Sequence, residues 1–212
     1  MMLQPIVADL SHHKWDHGIV PDFKAAKTSG TIGVIYKASE GSTYQDPTYD
    51  KSRILAKNAG MLWGAYHFGT AANVKGQVEN FLKSAKPDEQ TLICLDFELN
   101  ESSRKNTITK EIAVEFLHEV TKRLGRKPKL YTGPFMYDLF GKSIVNEFKE
   151  FQVWWARYGD APDVHPTWTN YWLWQYTDGH DGPKPHKVPG FEFCDCNHFD
   201  STEQQLRDSW AT

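Results

Sequence analysis

Short apolar runs recur along this chain, and a polar residue follows directly after most of them. Eight of these runs have the length of a strand and are rich in Val, Ile, Tyr, Trp or Phe. They are QPIVA before Asp9, TIGVIY before Lys37, GMLWGAY before His67, TLICL before Asp96, RKPKLY before Thr132, FQVWW before Ala156, NYWLWQY before Thr177, and FEFCDCNHF close to Phe199. The pattern therefore predicts eight β-strands.

Helical patterns lie between the earlier strands. The clearest runs from Ile108 to Leu124, where apolar residues recur every three or four positions, and Gly125 predicts its end. Weaker helical patterns cover Tyr49 to Ala59 and the residues from Val74 to Ala85. After Trp155 the segments 157–170 and 178–190 are rich in Gly, Pro, His and Asp and have no helical period. We therefore expect about five βα units followed by three loop-connected strands.

This succession predicts an α/β fold, a modified TIM-like barrel that occupies residues 1–212 as one domain. An open doubly wound sheet is the alternative, but it usually carries a G-x-G-x-x-G turn after its first strand, and that turn is absent. In a barrel of this kind the chemistry lies where the strands end. The polar residues predicted there are Asp9, Asp96, Glu98, Gln175, Asp195 and Asn197.

Composition narrows the function classes. The net charge of −3 offers no basic surface for nucleic acid or anionic lipid. Three cysteines without a C-x-x-C pair argue against a disulfide framework and against a zinc site. No signal peptide or membrane-spanning run is visible, so we expect synthesis in the cytoplasm and no membrane insertion. Eight Trp, nine Tyr and twelve Phe suit either a large aromatic core or a groove for flat ligands.

The stretch TLICLDFELN carries the strongest chemical signal. Residues two apart in a strand face the same side, so Asp96 and Glu98 share a face, with backbones about 6.6 Å apart at a rise of ~3.3 Å per residue. Phe97 points to the opposite side. Two carboxyls in a partly dry site cannot both ionise freely, and one pKa rises. A protonated Glu beside an ionised Asp is the pair that glycosidic bond cleavage requires, although a solvated strand end could also carry both.

The same acids could instead hold a divalent metal. The densest histidine group, HHKWDH from His12 to His17, lies after the first strand without the spacing of an H-E-x-x-H helix. We interpret it as a solvated loop and expect neither a metal nor a cofactor. A nucleophile elbow, G-x-S-x-G, is also absent from the sequence.

The order of motifs resembles glycoside hydrolase family 25, the Chalaropsis-type lysozymes. The matching motifs run from about Pro5 to Phe199: ADLS, YKASEG, DPTY, NAGMLWGAYHF, LDFE, KPKLYTG, WWARY, YWLWQYT and CDCNHF. The match departs after Asp9: His13 fits the H-Q-G that often follows in the family, but Lys14 and Trp15 replace its Gln and Gly, and the I-D-W motif that comes next is lost. That departure leaves the loop geometry and substrate preference near Asp9 open.

The resemblance implies N-acetylmuramidase activity, which cleaves the β-1,4 bond between N-acetylmuramic acid and N-acetylglucosamine in bacterial peptidoglycan. It implies that Glu98 is the general acid and base, that Asp96 stabilises the reacting centre or orients the substrate's acetamido group, and that Asp9 and Asp195 support them. Tyr66, Tyr131, Trp154 and Gln175 match positions that line the sugar groove. For each of the three aromatic residues taken alone, packing in the core is an equal alternative.

Other functions stay open from the residues alone. The chain could be a glycan-binding protein without activity, or a metal-dependent hydrolase. For a muramidase we expect retention of configuration, a monomer, no separate cell-wall-binding module, and action on the wall after release by cell lysis or a secretion machine, as for a phage endolysin or a bacterial effector.

Overall fold

A computed structural model describes residues 6–16, 18 and 20–212 of the chain. Pro5, at the start of the motif match, and His17 of the histidine group lie outside the described residues. Within the described part the strands are β1 Val7–Leu10, β2 Gly33–Glu40, β3 Tyr44–Gln45, β4 Leu62–Phe68, β5 Leu92–Asp96, β6 Lys129–Thr132, β7 Val153–Ala156, β8 Leu173–Thr177, β9 Lys187–Val188, β10 Glu192–Phe193 and β11 Asp195–His198. The α-helices are α1 His13–Asp16, α2 Phe23–Thr28, α3 Tyr49–Asn58, α4 Val74–Ala85, α5 Lys110–Leu124, α6 Phe135–Phe140 and α7 Glu203–Trp210.

Eight of these strands close into a barrel in the order β1-β11-β8-β7-β6-β5-β4-β2, and β2 pairs again with β1. Neighbouring strands are parallel except around β11, which runs antiparallel to both β8 and β1. Helices follow each of the first five barrel strands, whereas β7, β8 and β11 are joined by loops. The prediction of a modified barrel with five βα units and three loop-connected strands is confirmed.

The predicted helices agree with α3, α4 and α5 to within about two residues. Thr109 caps α5 by accepting a hydrogen bond from the backbone N–H of Ile112, and Gly125 ends the helix with a φ of 68°, which a side chain would strain. The short elements α1, α2, α6 and the β9–β10 hairpin were not predicted. They are too short to show a period in the sequence.

Side chains alternate between two apolar layers across the barrel wall. One layer lies between strands and helices. The other, the inner cluster, fills the barrel itself and includes Val7, Ile35, Leu92, Cys94, Tyr131, Trp154, Trp172, Leu173, Leu206 and Trp210. Because neighbouring residues of a strand face opposite layers, the strands are apolar throughout, and the side chains at their ends are left to face one mouth of the barrel.

Helix α7 closes the opposite end of the barrel. Leu206 and Trp210 are buried in the inner cluster, and the indole N–H of Trp210 donates to the carbonyl of Trp63 at 2.8 Å. The Trp210 ring passes over Gly33, where a Cβ atom would come within 2.8 Å of it. This helix was not predicted from the sequence, although Thr202 and Gln205 form a capping box at its start. The barrel is therefore sealed at one end and open at the other.

The described helices include none that is long and apolar enough to cross a lipid bilayer. The three cysteines are buried and unpaired, and the sulfur atoms of Cys194 and Cys196 lie 3.8 Å apart.

His67 is a buried polar residue between β4 and α4. Its Nδ1 lies 2.8 Å from the hydroxyl of Ser39, and its Nε2 lies 3.2 Å from Oε1 of Gln77. Gln77 Oε1 already accepts from the N–H of Thr70, so the His67 Nε2–H is the donor and the neutral ring satisfies both contacts. Burial lowers the pKa of His67 from 6.5 to about 3.

This histidine makes stability depend on pH. The unfolded chain protonates His67 below about pH 6.5 while the native state does not, so the free energy of unfolding falls as the pH drops. At about pH 5 the loss is about 2 kcal/mol, at ~1.4 kcal/mol per pKa unit. We expect His67→Gln to remove this loss, measured by urea denaturation at pH 7 and pH 5. His118→Gln, at an exposed histidine, is the control. If it reduced the loss of unfolding free energy between pH 7 and pH 5 as much as His67→Gln does, the loss could not be attributed to His67.

Candidate active site

Four carboxyl groups gather at the open mouth of the barrel. Asp9 lies near the end of β1, and Asp96 is the last residue of β5, with Glu98 two residues beyond it. Asp195 is the first residue of β11, and because this strand is antiparallel its first residue reaches the same mouth and pairs with Asp9. Asp9 and Asp96 are buried, with 8% and 6% exposure, whereas Glu98 and Asp195 are partly exposed. The predicted convergence of these acids is therefore present in the fold.

The alternation around Asp96 agrees with the sequence pattern. Phe97 is fully buried on the outer side of the strand, with its ring centre 5.3 Å from both Phe135 and Phe148. Asp96 and Glu98 lie on the inner side, where neighbouring acids, among them Asp9, raise the pKa of each carboxyl. Phe97 thus anchors the end of the strand while its neighbours face the mouth.

Asp9 is the best hydrogen-bonded of the four acids. The Gln175 amide donates to its two carboxylate oxygens at 3.2 and 3.1 Å, and the Asn197 amide donates to Oδ2 at 2.8 Å. Burial raises the pKa of Asp9 to about 6, and these hydrogen bonds counteract part of that rise. Asp9 is therefore a buried carboxyl whose ionised form is stabilised by hydrogen-bond donors.

Asp96 has the opposite environment. Its Oδ1 atom is buried and accepts no hydrogen bond from the described residues. Burial, followed by the negative charge of Glu98, raises the pKa of Asp96 well above its usual range, whereas Lys37 lowers it. Asp195 also has a pKa well above its usual range, because of burial and the neighbouring Asp9. Both carboxyls are more costly to ionise than Asp9.

Glu98 lies where two cavities meet. One, of about 390 Å³, is lined by groups from β6, β7 and α6, among them Tyr131, Phe135 and Tyr158. The other, of about 490 Å³, is lined by groups from the β1, β2 and β4 side, among them His12, Lys37, Tyr44 and Phe68. Together these cavities form a groove across the mouth of the barrel, which we call the groove. Burial raises the pKa of Glu98 to about 7, Lys37 lowers it, and Asp9 and Glu101 add to the rise.

The four residues expected in the groove occupy different depths. Tyr66 is partly exposed and lies among the four acids, which together with burial raise its pKa. Tyr131 lines the groove and donates its hydroxyl to Oε1 of Gln175 at 2.9 Å. Trp154 and Gln175 are each only 2% exposed, so they lie beneath the groove floor and contact other side chains. The sequence could not separate these depths, because all four residues alternate inward along their strands.

Three further residues complete the site: Tyr158 and Lys37 were not predicted in it, and Asn197 was predicted only as a polar residue at a strand end. Tyr158 lines the groove and donates to Gln175 at 2.9 Å, Lys37 acts on the charges of Asp96 and Glu98, and Asn197 binds Asp9. Each lies inside a motif noted above, namely WWARY, YKASEG and CDCNHF. The motifs indicated the segments, but a single sequence does not say which of their side chains turn inward.

The histidine group gives the one arrangement suited to a metal among the described residues. Ligand atoms of His12, His13 and Asp16 lie within 4.8 Å of one another. His12 also contacts the buried Asp46, with Nδ1 and Oδ2 3.0 Å apart. None of the four acids at the mouth belongs to this group, so a metal held by those four acids has no support in the geometry.

Comparison with known proteins gives one family. The model of glycosyl hydrolases family 25 matches residues 8–183. The autolytic lysozyme of Clostridium acetobutylicum is 28% identical over 159 residues, which is 74% of this chain and 47% of that protein. The chain spans about half the length of the curated relatives it matches.

Solved structures agree with the barrel. A bacterial lysozyme from Streptomyces coelicolor has a TM-score of 0.82 at 25% identity, covering 96% of this chain and 95% of that chain. A muramidase from Trichobolus zukalii has a TM-score of 0.77 at 26% identity, covering 96% and 97%. The fold thus extends over nearly the whole chain.

The raised pKa of Glu98 predicts a cost to stability. The native state binds this proton more tightly than the unfolded chain does, so the free energy of unfolding falls as the pH rises from about 4.5 through about 7. We expect Glu98→Gln to be more stable than the natural protein at about pH 8, by about 1 to 3 kcal/mol at ~1.4 kcal/mol per pKa unit, and nearly equal at about pH 4. Denaturant titration at both pH values measures this, with the exposed Glu115→Gln on α5 as control. If the variant and the natural protein differed in stability by the same amount at both pH values, the burial of this carboxyl would be contradicted.

Proposed function

Because the chain belongs to glycosyl hydrolases family 25, we propose that it is a muramidase that cleaves the β-1,4 bond between N-acetylmuramic acid and N-acetylglucosamine in bacterial peptidoglycan. The observation that carries this proposal is Glu98, an acid with a pKa of about 7 at the centre of a groove, beside the buried Asp96. An acid with this pKa is about half protonated near neutral pH, so it can both donate a proton and take one back. The lysozyme and muramidase relatives support the same reaction.

In the proposed reaction, Glu98 donates its proton to the glycosidic oxygen as the bond to the anomeric carbon breaks. Asp96 stabilises the positive charge that develops on the sugar. The acetamido oxygen of the substrate, oriented by Asp96, attacks the anomeric carbon and forms a cyclic intermediate. Glu98, now a carboxylate, then takes a proton from the water that opens this intermediate. Direct attack by the Asp96 carboxylate is the alternative, and both routes retain the configuration at the anomeric carbon.

The supporting residues follow from their depth. Asp9 adds negative charge that favours the protonated form of Glu98, and Asp195 lies beside Asp9 as a supporting acid. Tyr66 and Tyr131 face the sugars. Trp154 and Gln175 act from beneath the groove floor. Neither metal nor cofactor takes part in these steps.

The proposed substrate places the site of action at the cell wall. We propose that the protein acts as a monomer, engages the glycan strand through the groove of its single barrel, and reaches the wall through lysis or a secretion machine. A groove that is open along the mouth suits an extended polymer, because the chain can enter without a free end.

Digestion of purified peptidoglycan tests the reaction. We expect new reducing ends on N-acetylmuramic acid, identified by reduction and mass spectrometry, with full activity in excess chelator. Glu98→Gln should lower kcat by about 10²-fold or more, because a general acid typically contributes that much, while Glu115→Gln should match the natural protein. Reducing ends on N-acetylglucosamine would make the protein a glucosaminidase. Binding of wall fragments with no release of sugar would make it a glycan-binding protein.

Proton NMR of the first product tests the stereochemistry. We expect the β-anomer to appear first and then to equilibrate with the α-anomer. First appearance of the α-anomer would establish inversion, with Asp96 activating water from the opposite face of the sugar.

A further inference from the structure

Two amide side chains lie beneath Asp9, and both present their NH₂ group to its carboxylate. Gln175 donates from β8 and Asn197 donates from β11. An amide can present either its oxygen or its nitrogen, and an oxygen turned toward Asp9 would repel the carboxylate. Other contacts must therefore set the orientation of each amide.

A side chain with a single polar function holds Asn197. The indole N–H of Trp154 donates to the Asn197 oxygen at 2.6 Å, and the Asn197 nitrogen also donates to the carbonyl of Val7 at 3.1 Å. An indole N–H can only donate, so it accepts no arrangement other than the amide oxygen facing it. All three groups are buried in the barrel interior. The Asn197 NH₂ group is thereby directed at Asp9.

The Gln175 amide is also held with its oxygen turned away from Asp9 and its NH₂ group toward it. The hydroxyls of Tyr131 and Tyr158 both donate to the Gln175 oxygen at 2.9 Å. Asp9 therefore accepts three hydrogen bonds from two oriented amides, while the buried Oδ1 of Asp96 accepts none from the described residues. The barrel interior favours a negative charge on Asp9 over one on Asp96.

We infer that Trp154 is a positioning residue whose indole N–H, acting through Asn197, holds Asp9 as the resident anion of the site, so that Asp9 and not Asp96 carries the charge before substrate binds. This inference deepens the proposed function and rests on it for its kinetic readout. In this arrangement Asp96 is neutral before substrate binds. The positive charge that develops on the sugar lowers the pKa of Asp96, and its proton leaves to solvent water at the open mouth. Trp154 thus acts on the reaction without contact with the glycan.

Among the described residues, eight charged or titratable groups interact electrostatically with Asp9. These groups are Lys14 of α1, Tyr66 of β4, Cys94 and Asp96 of β5, Glu98, Tyr131 of β6, Tyr158, and Asp195 of β11. Lys14 is the one cation among them, and it lowers the pKa of Asp9. The Asp9 charge in turn raises the pKa of Glu98. The hydrogen bonds that Asp9 accepts favour its charged form, and the charge of Asp9 favours the protonated form of Glu98.

Trp154→Phe tests the inference because it keeps an aromatic ring and removes the N–H. We expect the pKa of Asp9 to rise by about 0.5 to 1 unit, as expected for the loss of one oriented donor. The measurement is a ¹³C titration of the aspartate carboxyls, in which Asp9 is the signal missing from Asp9→Asn. The profile of kcat/KM against pH should narrow: its acidic limb moves up with Asp9, and its basic limb moves down because Glu98 loses a negative neighbour. A role in packing alone would lower the plateau and leave both limbs in place.

Trp172→Phe is the matched control. Trp172 is also buried in the inner cluster, and its indole N–H donates to the hydroxyl of Ser209 at 2.9 Å, in α7 at the closed end. The same substitution there removes one indole hydrogen bond without touching the amides, so the Asp9 titration should not change. An equal shift in both variants, or no shift in Trp154→Phe, overturns the inference.

Asn197→Ala supplies a second variant should Trp154→Phe fold poorly. It deletes the amide that Trp154 orients, so the pKa of Asp9 should rise at least as far. In the Asn197→Ala background, Trp154→Phe should add no further shift, because the two residues act in series; additive shifts overturn the inference. The carboxyl titration does not depend on activity. If the natural protein leaves peptidoglycan intact, the proposed function fails while the titration still decides the role of Trp154.

Discussion

The burial of carboxyl groups at one end of a closed barrel is the constraint on which the site depends. Asp9 and Asp96 are almost inaccessible to solvent, and Glu98 and Asp195 are close beside them. An ionised carboxylate loses most of its hydration there, so the protein must either supply donors or keep the proton. Donors are supplied at Asp9, whereas the proton is favoured at Asp96, Asp195 and Glu98. The different functions of chemically similar groups follow from this unequal supply.

The closed end of the barrel keeps the interior beneath the buried acids apolar and packed. Helix α7 inserts Leu206 and Trp210 into the inner cluster, which excludes water from below the acids. The interior therefore changes along its axis, from an apolar plug to oriented amides and then to carboxyls at the mouth. The free-energy cost of burying the acids is concentrated at the open end, where the positively charged transition state of the proposed reaction relieves it. The acids proposed to act in catalysis are thus the same groups whose burial lowers the stability of the folded chain.

The hydrogen-bond network beneath the groove changes how the family motifs are understood. Trp154 and Gln175 match groove positions in sequence, yet both are buried and reach the site only through other side chains. Tyr158 was outside the predicted set, yet it lines the groove and also fixes Gln175. A motif therefore marks a segment that matters, and the depth of each side chain decides whether it can touch a sugar or can only position a neighbour.

Much of the fold could be read directly from the chain. Eight apolar runs predicted the barrel strands, and the amphipathic repeat from Ile108 to Leu124 predicted α5, because strand alternation and helix periodicity are local properties. The i and i+2 spacing of Asp96 and Glu98 was likewise local, and so was the opposite orientation of Phe97. Helix α7 has too short a pattern to be recognised, and its value to the fold comes from Gly33 and Trp63, which are distant in sequence.

What only the tertiary structure decided is the state of each acid. The sequence placed Asp9, Asp96, Glu98 and Asp195 at strand ends, and closure of the barrel brought them to one mouth. Which of them receives hydrogen bonds depends on amides from β8 and β11, over 160 residues away from Asp9 along the chain. Hydration and hydrogen bonding act through space over a few ångströms, whereas a sequence pattern records only neighbours along the chain. The sequence therefore determined the residue types and their spacing, whereas only the tertiary structure decided which of the four acids carries the negative charge.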